Sequence, residues 1–163
     1  MAVLPNDAGS MRLAISLVDR EASVPQGQPA FAGVPSGRLL CSAAVEHFDR
    51  RDREWWPFVR LAALYVPPEA FEALGAGARE LLAGGAPGFA WQAGEGGPLA
   101  LQLSESQGAV LVEVAVDLGR WLAEMVAGPA GSEACLFRYA TTRADLVRFA
   151  DALAAEAREV PAR

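Results

Sequence analysis

Met11, Leu13, Ile15 and Leu17 alternate with Arg12, Ala14 and Ser16. A period of two puts successive side chains on opposite faces of an extended chain, which predicts a strand. Arg38 to Phe48 and Phe58 to Val66 are two further strand candidates. In the latter, strict alternation assigns Phe58, Leu64 and Val66 to one face and Val59, Leu61 and Tyr65 to the other. Apolar residues on both faces predict a strand covered on both sides, or one whose outer face meets a partner. Val24 to Gly37, with prolines at 25, 29 and 35, reads as a loop because proline fixes φ and removes a donor. Residues 1–10 read as a loose leader.

The period changes at Pro67-Pro68-Glu69. Proline is tolerated in the first turn of a helix, where its missing N–H would find no partner, and Glu69 complements the dipole. Phe71, Leu74, Ala78, Leu81 and Leu82 then fall on one helical stripe, and Gly84-Gly85 supplies the stop. Gly75 and Gly77 inside the helix each cost about 1 kcal/mol relative to Ala; they fit either close packing on a sheet or a weakened helix.

Strand patterns return at Phe89 to Gln92, at Leu99 to Ser104 and at Val110 to Val116. The last two, joined by the turn Ser104–Gly108, predict a hairpin. Residues 118–128 fit either a short helical turn or an extended edge. Glu133 to Thr141 is another strand candidate. Thr142, with Asp145 three residues on, resembles a capping box and opens a helix with Leu146, Phe149, Ala150, Leu153 and Ala157 on its buried stripe; Pro161 closes it.

The two helices superimpose at an offset of 75 residues, Phe71 on Leu146 and Leu74 on Phe149. The expectation is one α+β domain over residues 1–163. Its largely antiparallel sheet has about six to seven strands, two helices pack on one face, and the offset admits two β-β-β-α halves.

Composition narrows the functional classes. With 52% hydrophobic residues and 21% charged, the chain can bury a sizeable core. All 14 basic residues are arginine, which with the abundance of alanine reads as the coding bias of a GC-rich bacterial genome. A net charge of −6 argues against nucleic-acid binding, which needs a basic face. No signal peptide or membrane-length apolar run is evident, so the expected location is the cytoplasm.

Reactive groups are sparse. Cys41 and Cys135 sit in apolar, strand-like runs and read as small buried hydrophobes. The one histidine, His47, reads as an exposed surface residue. As a pair, Cys41 and His47 are six residues apart on a strand, roughly 20 Å, too far to act together. Gly94-Glu95-Gly96-Gly97 lacks the lysine a phosphate loop requires and reads as a strand connection. No catalytic residue, metal site or cofactor is expected.

The most suggestive segment is the charged turn running into two tryptophans. Asp49, Asp52, Arg53, Glu54, Trp55 and Trp56 form a candidate partner-binding site. Adjacent residues on a strand face opposite ways, so one tryptophan is free to be exposed while the other is buried, and Trp and Arg are favoured interface anchors.

The units FVRLAALYVPPEAFEALGAGARELL, LALQLSESQGAVLVEVAV and ACLFRYATTRADLVRFADAL, over roughly the last two-thirds of the chain, resemble in order and texture the WapI-type immunity proteins and related small bacterial domains of unassigned function. That resemblance implies a non-catalytic protein that binds and neutralises a toxin of its own cell. It carries over no residue roles. The expected function is therefore protein binding, with a toxin as one partner. The alternatives are a homo-oligomer that buries an open sheet face against a copy of itself, and an enzyme or small-molecule binder with a pocket between sheet and helices.

Overall fold

A computed structural model describes residues 1–20, 38–126 and 134–159. The loop expected over 24–37, residues 127 and 128, Glu133 and the stop at Pro161 lie outside the described residues.

The chain runs β1 (Ala2–Pro5), β2 (Met11–Arg20), β3 (Leu39–Asp49), β4 (Glu54–Val66), α1 (Pro68–Leu82), β5 (Gly88–Gln92), β6 (Leu99–Ser106), β7 (Ala109–Asp117), α2 (Leu118–Val126), β8 (Ala134–Thr141) and α3 (Arg143–Glu159). Its class is α+β, but the single sheet of six to seven strands with two helices is overturned. Two antiparallel four-stranded sheets form, ordered β1-β2-β3-β4 and β5-β6-β7-β8, with three helices. Each half is thus four strands and a helix, not three, with α2 added before β8.

The sheets separate because their seam, β1 against β8, is made mostly by side chains. The Tyr139 hydroxyl donates to the Leu4 carbonyl (3.1 Å) and the Thr141 hydroxyl to the Pro5 carbonyl (2.6 Å), while one backbone bond runs from Asp7 N–H to the Ala140 carbonyl (2.9 Å). Side-chain donors at a strand edge satisfy its carbonyls without continuing the ladder. The expected loose leader at residues 1–10 is likewise corrected. Residues 2–5 pair with β2, and Ala2 and Leu4 are buried. Four residues are too few to show a period, so this strand leaves no mark in the hydrophobic pattern.

α1 crosses to the other half, and α3 does so in large part. α1 follows β4 of the first sheet but packs on β5 and β6, and α3 follows β8 but packs on β1, β2 and β7; the two helices also touch each other. Phe71, Leu74, Ala78 and Leu81 of α1 and Leu146, Phe149, Ala150 and Leu153 of α3 join the inner faces of both sheets in one buried cluster. Of the internal glycines, Gly77 has a clear packing role: a Cβ there would lie 2.1 Å from the Phe89 ring of β5. Arg143 fastens the start of α3 to Glu105 at the end of β6 and to the Leu82 carbonyl at the end of α1.

The hairpin forms as expected, with Gln107 and Gly108 both at positive φ (52° and 83°), as a tight two-residue turn between β6 and β7 requires. The ambiguous stretch after β7 is helical over Leu118–Val126. The Asp117 carboxylate accepts from the Arg120 N–H at 2.8 Å, an N-cap.

Candidate functional site

β3 has 11 residues and the strand paired with it, β4, has 13. The two extra residues make two bulges, one between the pairs Cys41/Leu64 and Ala43/Leu61, the other between Val45/Val59 and Glu46/Pro57. A bulge breaks the two-residue alternation. Leu61 and Leu64 therefore both reach the core, and Val59 and Val66 join them on the inner side. Apolar residues at both parities of β4 reflect these bulges, which is the physical reason strict alternation misassigned its faces.

The second bulge sets the geometry of the predicted site. At the turn before β4, the Asp49 carboxylate accepts from the Arg51 N–H at 2.7 Å, and Arg53 turns the chain at φ 57°. Asp52, Arg53 and Glu54 are exposed. Trp55 and Trp56 then part. Trp55 lies half-buried beside Phe48 (ring centroids 5.3 Å apart), with the Arg12 guanidinium 4.0 Å from its ring centre. Arg12 is held in place by Glu46 at 2.7 Å, itself buried and also approached by Arg60 at 3.9 Å. Trp55 thus belongs to a packed structural cluster on the outer face of the first sheet.

Trp56 is paired in register with His47 and is 50% exposed, while Phe58, displaced by the bulge, is 53% exposed. The Phe58 ring lies 4.6 Å from His47 and 5.8 Å from Phe137 of β8, linking the two sheets. His47 is half-buried in this chain of rings, which corrects its reading as a plain surface residue. The result is an aromatic shelf near the charged turn, made of Trp56, in register with His47, and of Phe58, whose ring meets those of His47 and Phe137. The register therefore puts Trp56 on the same face of β4 as Glu54, and Trp55 on the opposite face. Phe58 and Phe137 were not singled out from the sequence. They lie 79 positions apart, and no local signal joins them.

Cys41 is buried as expected, whereas Cys135 is only partly buried. Burial pushes the Cys41 thiol up to about 12, and it donates to the Leu64 carbonyl at 3.5 Å. Burial also raises Tyr139 above its ordinary range. Among the described residues, no three His, Cys, Asp or Glu side chains converge as a metal site, and no helix is long and apolar enough to cross a membrane.

A second open surface is the outer face of the second sheet. Across it run three rows in register: Gln92, Ala100, Ala115, Leu136; then Ala90, Gln102, Glu113, Arg138; then Gly88, Ser104, Leu111, Ala140. Two shallow depressions of about 370 and 420 Å³ cross it. Glu113 and Arg138 pair at 2.5 Å in its middle row.

Comparison with protein-family models, curated proteins and solved structures returned no match.

Proposed function

We propose that this chain is a cytoplasmic, non-catalytic protein-binding domain that grips its partner with the aromatic shelf of Trp56 and Phe58 beside the 49–54 turn. The observation that carries the reading is that Trp56 and Phe58, two positions apart in β4, are each half-exposed, Phe58 being held by rings from both sheets. Fixed aromatic surface binds at small entropic cost, because little side-chain freedom remains to be lost. The mixed charges of Asp52, Arg53 and Glu54 form the polar rim that such anchors usually have. The resemblance to immunity proteins gives the partner its most specific form, a toxin made by the same cell.

The test is a pull-down of the toxin encoded beside this gene, with the double variant Trp56→Ala/Phe58→Ala as control. Truncation of anchors of this kind weakens binding by about 2 kcal/mol or more each. We expect the toxin to be retained by the wild-type chain and lost by the variant, with the far-UV spectrum unchanged. Retention of the toxin by the variant at undiminished affinity would move the interface away from the shelf, and a wild-type chain that retains no toxin would remove the immunity role.

A further inference from the structure

We propose that two copies of this chain associate face to face through the outer surface of β7 and β8. The surface is complementary to itself. Glu113 and Arg138 are directly paired across these strands; on either side of them Ala115 lies opposite Leu136, and Leu111 opposite Ala140. Leu111 and Leu136 are 46% and 51% exposed.

Consider a two-fold axis lying in the face, between the two strands and along them. It exchanges the β7 and β8 positions within each row. Glu113 then faces Arg138 of the second copy, Leu136 faces its Ala115, and Leu111 faces its Ala140. Each exposed leucine meets an alanine, and the four charges alternate in sign. This is the condition of an isologous contact, in which one patch supplies both members of every pair. The small alanines let the two sheets approach to ordinary sheet-stacking distance, and aligned sheets keep their strands within about 30° of each other.

The overlap is modest. Two strands about 4.8 Å apart, paired from Val110↔Thr141 to Asp117↔Ala134 and rising about 3.3 Å per residue, make a plate of roughly 10 by 26 Å, or about 500 Å² over both copies. That is below the roughly 1,000 Å² of a stable interface, so the association is weak and concentration-dependent.

Sedimentation velocity of the full chain from about 10 μM to about 1 mM covers the range in which such a contact fills. The sedimentation coefficient should rise towards that of a dimer at the upper end. Glu113→Arg and Arg138→Glu, each alone, place like charges across the two-fold axis and should abolish the rise. An equimolar mixture of the two variants restores the opposite charges across the axis, though not the pair within each copy, and should recover it as a heterodimer. Circular dichroism of each variant shows whether the fold is intact, and Leu136→Glu, which leaves the ion pair untouched, should also give a monomer. A wild-type chain that stays monomeric to 1 mM overturns the proposal, as does a dimer indifferent to these changes or a mixture that fails to recover. None of these substitutions touches the Trp56 and Phe58 shelf, so toxin capture reads separately.

Discussion

Gly77 shows how a residue that looks like a defect in its helix is fixed by a contact elsewhere. Taken alone, Gly in mid-helix costs about 1 kcal/mol relative to Ala. In the fold the Phe89 ring occupies the place of its missing side chain, 2.1 Å from where a Cβ would stand. Gly77→Ala should therefore destabilise the protein by about 1–3 kcal/mol, an overpacking cost, despite its better helix propensity. In a Phe89→Ala background the same change should become neutral or stabilising by up to about 1 kcal/mol. Urea denaturation of the four members of this cycle measures the coupling; additive effects would show that the ring moves aside freely. Gly75 has no such neighbour, its nearest contact being the flexible end of Arg79 at 3.4 Å, and nothing in the packing requires glycine there.

Among the elements, those with a long, regular period were legible in the sequence and those with an irregularity were not. α1, α3 and the β6–β7 hairpin announce themselves because stripe, stop and turn residues all agree. Two inserted residues place apolar side chains of β4 at both parities, so its inner face could not be read by counting. β1 is too short for a period, whereas α2 carried one readable mark, Asp117 as N-cap. The cap of α3 was also legible, and it has an electrostatic consequence. The Thr142 hydroxyl accepts from the Asp145 N–H at 3.0 Å and donates to the Asp145 carboxylate at 2.5 Å; Arg148 pairs with the same carboxylate. The hydroxyl, and then Arg148, hold Asp145 below its ordinary value of 3.8. A carboxylate depressed in the folded state contributes stability that is complete above its unfolded value and is lost as pH falls through its folded value. Thr142→Ala should cost about 1 kcal/mol at neutral pH. The stability gap between the wild-type chain and Asp145→Asn should be constant above pH 3.8 and close below it. A gap that persisted unchanged into strong acid would assign the effect to packing instead of charge.

At the scale of the molecule, what the sequence concealed is the exchange of helices between halves. A stripe of Phe71, Leu74, Ala78 and Leu81 states that α1 must be covered, but not by which strands, because burial is non-directional. The aromatic shelf was concealed for the same reason: Trp56 could be picked out, but Phe58 and Phe137 meet only through the crossing of the two halves. The exchange has a thermodynamic corollary. α1 covers β5 and β6, and α3 covers β1 and β2 while also touching β7 of its own sheet, so each sheet loses much of its helical cover when the other half unfolds. Exposing an inner sheet face is opposed by about 25 cal/mol for each Å² of apolar surface, which couples the halves. Unfolding should therefore be a single transition, with tryptophan fluorescence and far-UV circular dichroism coincident. The reporters are well placed: Trp55 and Trp56 lie in the first sheet and Trp91 in the second. Phe149→Ala, a truncation in α3, should lower stability by about 3–5 kcal/mol and shift both signals together. Phe71→Ala, in the helix that follows the other half, should do the same. Two separated midpoints in either variant would mean that each sheet keeps its structure without the helix lent by the other.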